Sequence, residues 1–474
     1  MTDNLLVLMS DEHQARAMGC AGHPFVQTPN LDSLAARGTR FTSAYTPSPI
    51  CVPARASFAT GLYVHRTRLW DNAMPYAGQI PGWGHALQAA GVPVESIGKL
   101  HYRAEEDPAG FDVEHIPMMV AGGVGMVWAS IRKEDERVAM PSRMLGDYIG
   151  PGQSKYTDYD AAVVKHTSGW LSSAPEQPWC LYVGLVAPHF PLVVPQEFFD
   201  LYPPDTLPPA KLHPNDGHAR HPWIERQFGL DRSEEKFRDT QERLAAMSAY
   251  YGLCTWLDHN VGLILTALGN AGLTDSTTVV YTSDHGDNVG ARGLWGKSNM
   301  YEESAAVPLI MARPGQTASV CETPVSLLDL SATIPDHFGV SCQTEGPGVP
   351  LPRIVENPDR NRAVFSEYHA AGAVTGAFML RKGHWKLIHY VGFEPELFDL
   401  QNDPEELTNL ANSTEHASVL AALQSDLRVI CDPEETDALA HADQVAMIQR
   451  YGGRDAALKL GAPAATPPPD LSAP

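Results

Sequence analysis

The sequence lacks the features that define several large classes of protein. Its seven cysteines are scattered and include no C-x-x-C pair, so neither a zinc site nor a disulfide framework is indicated. The first apolar run, Leu5 to Met9, is too short for a signal peptide or a membrane span, and no basic segment precedes it. We therefore expect a cytoplasmic protein in a reducing compartment, with no membrane partner.

Positive charge is also scarce. The chain of 474 residues has 34 Lys and Arg against 56 Asp and Glu, a net charge of −22. Such a balance argues against a nucleic-acid or anionic-membrane partner, and an anionic substrate would need a local cluster of cations. There is no internal repeat and no glycine-rich phosphate loop, and the length allows one large core with a smaller appendage.

The stretch around Cys51 has the composition of a reactive site. Cys51 is followed by Pro53 and Arg55, and Ala56 to Thr60 is predicted to be a short helix stopped by Gly61. Cys51 then lies at or just before a helix N-terminus, where free N–H groups and the helix dipole favour an anion. The pattern indicates a nucleophile beside an oxyanion site. The alternative is a buried free cysteine beside a surface arginine, because short motifs also match by chance.

Two predicted strands end in acidic residues. Asn4 to Ser10 leads into Asp11 and Glu12, and Thr277 to Ser283 leads into Asp284 and His285. In a parallel α/β sheet, ligands bind where the strands end at their carboxyl edge. Carboxylates at such an edge, with one imidazole, are candidate ligands of a divalent cation. For Asp11 the alternative is a helix N-cap.

Two other predicted strands lead into cationic or imidazole side chains. Val92 to Ile97 ends before Lys99 and His101, which point the same way if the segment is extended. Trp179 to Val186 ends before His189, which Pro188 and Pro191 present on a rigid loop. Each could instead be an ordinary surface lysine or a packed histidine.

Together these segments resemble the type I sulfatases of the alkaline phosphatase superfamily, near the choline sulfatase and phosphonate monoester hydrolase subgroup. The resemblance rests on C-x-P-x-R with Thr60-Gly61, on Gly98-Lys99-Leu100-His101, on the proline-flanked His189, and on Asp284-His285 with Lys297 further on. It implies an α/β fold, an alkaline-phosphatase-like three-layer sandwich with a large mixed, mostly parallel sheet and a smaller C-terminal α+β subdomain. It also implies hydrolysis of a small-molecule sulfate ester to alcohol and inorganic sulfate.

The resemblance assigns roles to individual residues. In this family the cysteine is oxidised to formylglycine by a formylglycine-generating enzyme, and the hydrated aldehyde is the nucleophile. The implied catalytic residues are Cys51, Arg55, Lys99, His101, His189 and Lys297; the implied substrate-binding residues are Asn72, Tyr102 and His369; and the implied metal ligands are Asp11, Glu12, Cys51, Asp284 and His285. Acidic oxygen ligands favour Ca²⁺, while the His285 nitrogen leaves Mn²⁺ or Mg²⁺ open.

This chain departs from the family pattern at two positions. Glu12 stands where a second Asp is commoner, and Ala306 stands where many relatives have Arg. The longer side chain puts the ligand role of Glu12 in doubt, whereas Ala306 concerns local packing or substrate preference.

The predicted organisation is a catalytic domain over 1–350 and a C-terminal subdomain with an extended tail over 351–474. Insertions are expected at about 107–157, as a substrate lid or oligomer contact, and at 201–232, as a solvated loop whose histidines have no zinc spacing. The Pro- and Ala-rich tail from Gly461 is predicted to be extended or disordered. Because tails in related enzymes embrace a neighbouring subunit, we expect a homo-oligomer, a dimer or tetramer.

Two other functions remain open at this point. A phosphonate monoester or phosphodiester hydrolase could use the same site, and Asn72 with Asp284-His285 keeps that alternative open. A non-catalytic binding protein with an unmodified Cys51 is the third hypothesis.

Overall fold

The computed structural model describes residues 3–140, 143–342, 344–460 and 465–471. Its strands are β1 Asn4–Asp11, β2 Thr39–Phe41, β3 Ala44–Tyr45, β4 Val94–Lys99, β5 Val113–Met118, β6 Gly150–Pro151, β7 Cys180–Pro188, β8 Val193–Val194, β9 Thr277–Ser283, β10 Leu309–Ala312, β11 Ser319–Cys321, β12 Val325–Ser326, β13 Ala363–Tyr368, β14 Ala377–Lys382, β15 Trp385–Tyr390 and β16 Glu396–Asp399.

The α-helices range from single turns to one helix of 31 residues. They are α1 Pro29–Ala35, α2 Cys51–Thr60, α3 Val64–Thr67, α4 Trp83–Ala89, α5 Lys155–Ser172, α6 Gln196–Phe199, α7 Pro222–Phe228, α8 Thr240–Asn270, α9 Glu302–Ala305, α10 Leu327–His337, α11 Leu351–Glu356, α12 Ala417–Ile430, α13 Pro433–Arg450 and α14 Arg454–Ala457. Among the helices of the described residues, none combines the length and the apolar character that crossing a membrane requires.

An eight-stranded sheet with the order β11-β2-β10-β9-β1-β7-β4-β5 forms the centre of the fold. Strands β9, β1, β7, β4 and β5 run parallel to one another, and β10 is antiparallel to β9 and to β2. Consequently the carboxyl ends of β1, β4, β7 and β9 lie at one edge of the sheet.

Strand β1 is buried on both faces, as a central parallel strand must be. Leu6 and Leu8 pack into the core that contains α5 and α8. Leu5, Val7 and Met9 pack into the core on the opposite face, with residues of α2, α4 and α10. Two helical layers therefore enclose the sheet, which confirms the predicted three-layer arrangement.

A separate four-stranded antiparallel sheet, β13-β14-β15-β16, lies in the C-terminal part of the chain. Phe365, Phe378, Leu380 and Leu387 on one of its faces pack against Leu423 and Leu427 of α12. This small sheet confirms the predicted α+β character of that region. The boundary at 350 stays a prediction.

Several local predictions differ from the structure. Helix α2 begins at Cys51 rather than Ala56, because Pro53 falls in the first turn, where its missing N–H leaves no intrahelical bond unmade. The predicted strand Phe41 to Tyr45 is two short strands, β2 and β3. The region 107–157 was predicted to be an insertion, but it contributes β5, the edge strand beside β4, to the large sheet. Pro141 and Ser142 of this region lie outside the described residues.

The loop predicted at 201–232 contains helix α7, which His221 caps by accepting a hydrogen bond from the Trp223 amide. The C-terminal tail also differs from prediction over its described residues. Thr466 is buried, and its carbonyl oxygen accepts a hydrogen bond of 2.6 Å from the Tyr156 hydroxyl. The parts of the tail at 461–464 and 472–474 lie outside the described residues.

Candidate active site around Cys51

The four parallel strands and one helix bring the predicted residues together. β1 ends at Asp11, β4 ends at Lys99, β7 is followed by His189, and β9 is followed by Asp284. Helix α2 starts at Cys51 above this edge, so residues that are far apart in the sequence share one location.

Cys51 occupies the first turn of α2 and is buried. Its Sγ lies 3.6 Å from Asp11 Oδ1 and 3.2 Å from His285 Nε2. Burial, with the Asp11 carboxylate, raises the pKa of the Cys51 thiol to about 11. The unmodified thiol would therefore be protonated at neutral pH and would be a weak nucleophile.

Oxygen and nitrogen donors converge around Cys51. One atom from each of Asp11, Cys51, Asp284 and His285 lies within 4.8 Å of the others, and Asp11, Glu12 and His189 form a second such group. His285 Nδ1 lies 3.1 Å from the Gly286 carbonyl oxygen, which can only accept, so Nδ1 carries the proton and Nε2 presents its lone pair. The ring is therefore in the tautomer that can bind a cation through Nε2.

The environment of Glu12 is the clearest indication that a ligand binds at this site. The residue has no exposed surface, and within the described part of the chain neither of its carboxylate oxygens has a hydrogen-bond partner. Its backbone has a φ of 72°, a left-handed conformation that is unfavourable for a residue with a side chain. Unpartnered buried oxygens beside two aspartates and an imidazole fit a divalent cation.

Arg55 lies beneath these ligands and joins them. Its Nε donates to Asp284 Oδ2 at 2.8 Å, and its Nη2 donates to Asp11 Oδ2 at 3.1 Å. Its Nη1 donates to the Lys99 carbonyl oxygen at 3.0 Å. The guanidinium therefore orients both aspartates and offsets their charge from the side away from the cavity.

Lys99 reaches the same aspartate from the other side, with Nζ 2.6 Å from Asp11 Oδ2. Burial alone would raise the pKa of Asp11, but Lys99, His189 and Arg55 outweigh burial and hold it well below its usual range. Asp11 is therefore a carboxylate at neutral pH.

His189 and Lys297 form a hydrogen-bonded pair. His189 Nδ1 lies 2.6 Å from the Phe190 carbonyl oxygen, so it donates there, and Nε2 accepts from Lys297 Nζ at 2.8 Å. Burial and the charge of Lys297 lower the pKa of His189 well below its usual value. Lys297 also lies 3.3 Å from Glu12 Oε1, and the neighbouring acids raise its pKa despite burial. In this pair the lysine carries the proton.

His101 contacts the C-terminal tail, which sequence reasoning did not place here. Its Nε2 lies 2.8 Å from Thr466 Oγ1, while its Nδ1 is buried without a hydrogen-bond partner. Its φ of 58° is also left-handed. Burial and the nearby Lys99 lower the pKa of His101 well below its usual value, so the ring is neutral.

A cavity of about 90 Å³ opens above Cys51. The predicted residues that line it are Cys51, Asn72, Lys99, His101, His189 and Lys297. Asn72 is fixed by its Oδ1, which accepts a hydrogen bond of 3.2 Å from the Val52 amide. Asp11, Glu12, Asp284, His285 and Arg55 are not among the residues that line the cavity.

Two predicted substrate-binding residues do not line this cavity. Tyr102 is buried and packs edge-on against Tyr76, with ring centroids 5.0 Å apart. His369 is also buried, with Nε2 3.0 Å from Glu367 Oε2 and its ring against Trp70. Both are held by neighbouring side chains, and a direct role in substrate binding is not supported by their positions.

The cavity walls consist largely of residues that the sequence did not single out: Met126, Met140, Met144, Phe190, Phe228, Leu230, Asp231, Trp295 and Thr466. They come from the two predicted insertions, from loops after β7 and β9, and from the tail. No motif marks such residues, because each reaches the cavity only through tertiary packing.

Clustered cations beside acids that fit a metal ion favour an anionic ligand, and they lie at the carboxyl edge of a parallel sheet, where α/β proteins bind their ligands. The chain belongs to the sulfatase family. The family's own profile matches residues 3–340, and that of the N-sulphoglucosamine sulphohydrolase C-terminal region matches residues 290–432. The chain is accordingly a sulfuric ester hydrolase.

Curated relatives agree with this membership. The chain is 35% identical over 431 residues to the choline-sulfatase of Rhizobium meliloti (strain 1021), covering 86% of this chain and 82% of that protein. It is 29% identical over 473 residues to the arylsulfatase K of Rattus norvegicus, covering 92% and 79%.

Solved structures show the same fold. The phosphonate monoester hydrolase of Agrobacterium radiobacter superimposes with a TM-score of 0.75 at 24% identity, covering 90% of this chain and 95% of that one. BT1596, a 2-O GAG sulfatase, superimposes with a TM-score of 0.72 at 22% identity, covering 91% and 92%. These neighbours confirm the fold that the sequence predicted.

Proposed function

We propose that this protein hydrolyses small-molecule sulfate esters through a formylglycine formed from Cys51, beside one divalent cation. The observation that carries the proposal is the position of Cys51 in the first turn of α2, with Sγ 3.6 Å from Asp11 Oδ1 and 3.2 Å from His285 Nε2. A group at this position touches the cation ligands and faces the cavity. A formylglycine-generating enzyme is the implied maturation partner.

The ligands of the cation would be Asp11, Glu12, Asp284 and His285, together with the modified side chain at position 51. Three carboxylates favour Ca²⁺, and the His285 nitrogen is compatible with Mn²⁺ or Mg²⁺. When present, the cation and the hydrated formylglycine supply an activated hydroxyl that attacks sulfur.

Lys99 and Lys297 are the cations that face the substrate. Both line the cavity, so their ammonium groups can contact the sulfuryl oxygens. Preorganised donors of this kind stabilise the charge that develops on those oxygens during the reaction. Arg55 acts one layer below, where it orients Asp11 and Asp284.

The leaving alkoxide needs a proton, and the His189–Lys297 pair can supply it. Because His189 Nε2 accepts from Lys297 Nζ, the proton is held on the lysine. Transfer from Lys297 to the alcohol oxygen would leave the lysine neutral and hydrogen-bonded to His189. In this assignment His189 orients the acid and does not itself donate the proton.

His101 is suited to accept a proton when sulfate departs. Its ring is neutral, and its Nδ1 has no hydrogen-bond partner. A neutral imidazole with a free nitrogen is the form that acts as a general base. We propose that it removes the proton of the second hydroxyl of the hydrated aldehyde, so that the aldehyde is regenerated.

The cellular setting belongs to the same proposal. We infer a cytoplasmic enzyme and a homo-oligomer, either a dimer or a tetramer. The curated relatives named a choline-sulfatase and an arylsulfatase suggest alkyl or aryl sulfate esters as substrates.

Two other functions are kept as alternatives. A phosphonate monoester or phosphodiester hydrolase would use the same residues, and the position of Asn72 in the cavity wall keeps this open. A binding protein with an unmodified Cys51 would have the same charged residues in its site but would not hydrolyse an ester.

The test is a comparison of kcat/KM on a matched nitrophenyl sulfate and phenyl phosphonate ester, with metal-loaded protein from a host that forms formylglycine. Preference for the sulfate supports the proposal, and a strong preference for the phosphonate contradicts it. Absence of turnover on both esters would support the binding protein. Cys51→Ala is the matched control, which should be inactive on either ester.

A further inference from the structure

We propose that Asp231 selects the alcohol part of the substrate by accepting a hydrogen bond from a donor group on it. The donor is an ammonium or a hydroxyl group carried by the alcohol, separate from the ester oxygen. This inference rests on the proposed function, because it concerns the leaving group of the same reaction.

The position of Asp231 supports this role. It follows α7 and lines the cavity together with Gln227, Phe228 and Leu230. The cations Lys99 and Lys297 lie in the same cavity, beside Cys51. One cavity therefore contains cations that suit the sulfate group and a single carboxylate that suits the rest of the ester.

The two oxygens of Asp231 have different surroundings. Oδ2 accepts hydrogen bonds from the amide of Ser233, at 3.2 Å, and from the Ser233 hydroxyl. Oδ1 is buried, and no group of the described residues forms a hydrogen bond with it. Oδ2 thus stabilises the turn after α7, whereas Oδ1 is a hydrogen-bond acceptor without a donor among those residues and is shielded from water.

Among the described residues, no side chain around Asp231 donates to Oδ1. Met126, Met140, Met144, Phe190, Leu230 and Trp295 line the same cavity. The Trp295 indole N–H already donates to Glu234 Oε2 at 2.9 Å, so it is not available. A carboxylate oxygen in such a wall is satisfied only when a ligand brings its own donor.

One cation does lie near Asp231 without satisfying Oδ1. Burial raises the pKa of the Asp231 carboxyl, and the charge of Lys236, whose Nζ donates to the Met140 carbonyl oxygen at 2.9 Å, acts against that shift. Lys236 therefore helps to keep a negative charge at this wall. An ionised acceptor forms stronger hydrogen bonds than a neutral one.

The experiment compares pairs of sulfate esters that differ only in the donor group. Aminoethyl and hydroxyethyl sulfate each carry a donor, and propyl sulfate is the counterpart of both, with a methyl group in place of the donor. Aminobutyl sulfate is compared in the same way with pentyl sulfate. Trimethylammonioethyl sulfate has a positive charge but no donor, and dimethylbutyl sulfate with a terminal tert-butyl group is its neutral counterpart. Nitrophenyl sulfate reports whether the enzyme is a sulfatase at all.

We expect the wild-type enzyme to favour at least one donor-bearing ester over its methyl counterpart by about tenfold or more in kcat/KM, which corresponds to one hydrogen bond to a charged group. The quaternary ester should show a smaller advantage over its neutral counterpart. Comparison of the ammonium-bearing esters with the hydroxyl-bearing ester then shows which donor group the site binds.

Two variants connect the preference to Asp231. Asp231→Asn removes the charge and should reduce the ammonium preference, whereas Asp231→Leu removes the acceptor and should abolish both preferences. Asp216→Asn, at an exposed position in the same excursion of the chain, is the matched control and should keep the wild-type ratios. Because the readout is a ratio within one variant, a partial loss of folded protein does not affect it.

The outcomes separate this inference from the proposed function. Turnover of nitrophenyl sulfate with no donor preference, or with a preference that both Asp231 variants retain, would overturn the role of Asp231 alone. An equal advantage for the quaternary ester would also overturn it, because charge without a hydrogen bond would then suffice. No turnover of any sulfate ester would instead reject the proposed function.

Discussion

Two buried clusters of charge in this protein differ in how their carboxylates are satisfied. Around Cys51, Glu12 has no exposed surface and no hydrogen-bond partner for either oxygen. The glutamate cluster, by contrast, pairs its acids with cations between the large sheet and the small C-terminal sheet. Its members are Glu302, Glu303, Glu406, Lys211, Arg292 and Lys386.

The ion pairs of the glutamate cluster are short and direct. Lys386 Nζ lies 2.8 Å from Glu302 Oε1 and 2.7 Å from Glu406 Oε1. Arg292 Nη1 lies 3.2 Å from Glu303 Oε2, and Lys211 also contacts Glu303. Burial of charge therefore does not by itself identify a functional site. Glu12 differs because neither of its oxygens accepts a hydrogen bond from the described residues, although Lys297 Nζ lies 3.3 Å from Oε1.

The largest effects should come from removing one lysine from each cluster. Lys386→Met leaves two buried glutamates without their cation, so the free energy of unfolding should fall by about 3–5 kcal/mol. Lys99→Met leaves Asp11 paired with Arg55, so stability should change less, while kcat/KM should fall about 10²–10³-fold. Urea unfolding and steady-state kinetics on both variants measure the contrast. The comparison fails if Lys99→Met destabilises the metal-loaded protein more than Lys386→Met does.

Glu303 should make the stability of the glutamate cluster depend on acid pH. Burial alone would raise its pKa, but Lys211 and Arg292 lower it to about 2 from an ordinary 4.5. A lowered pKa stabilises the fold above pH 4.5, and this contribution, roughly 3 kcal/mol, is lost as pH falls from there through about 2. Urea unfolding from neutral to acid pH measures the slope. Glu303→Gln should be less stable at neutral pH and should show a shallower slope, and an unchanged slope would contradict the assignment.

Glu12 should behave in the opposite way from Glu302. In chelator-treated protein, Glu12→Gln removes a buried carboxylate that accepts no hydrogen bond from the described residues, so the free energy of unfolding should rise by about 1 kcal/mol. Glu302→Gln removes a paired carboxylate and should lower it. Thermal unfolding with chelator, and again with Ca²⁺, measures both variants. Added Ca²⁺ should stabilise the wild type more than Glu12→Gln. An equal loss of stability in the two variants would mean that Glu12 is an ordinary structural acid.

The smallest expected effect concerns Thr466. Thr466→Ala removes the hydroxyl that contacts His101 Nε2, so kcat should fall by only about two- to tenfold. Because the hydroxyl sits against the imidazole, the pH profile of kcat/KM should also shift. Thr466→Ser keeps the hydroxyl and should restore both rate and profile. If Thr466→Ser behaves like Thr466→Ala, the contact is one of packing.

The sequence indicated the floor of the site well, because that floor depends on strand ends. Once β1, β4, β7 and β9 are parallel, Asp11, Lys99, His189 and Asp284 must share one edge of the sheet. The start of α2 was misjudged by five residues, since Pro53 was not recognised as part of the first turn. That error did not move Cys51 away from the ligands.

The walls of the site were beyond sequence reasoning. Asp231 and Thr466 lie in segments predicted to be a solvated loop and a disordered tail, and only their packing brings them to the cavity. Helix α13 was not predicted because its buried side includes Thr436 and Gln444 beside the apolar Ala440 and Met447. Its inward-facing stripe is partly polar and therefore carries no clear hydrophobic periodicity.

The central claim is that the residue at position 51 acts as an aldehyde and not as a thiol. The most direct test is mass spectrometry of the peptide containing position 51, taken from the same preparation whose turnover of nitrophenyl sulfate is measured. We predict an aldehyde that a hydrazide reagent captures, with turnover proportional to the modified fraction and absent in Cys51→Ala. An intact Cys51 thiol throughout a preparation that hydrolyses the ester would contradict the account.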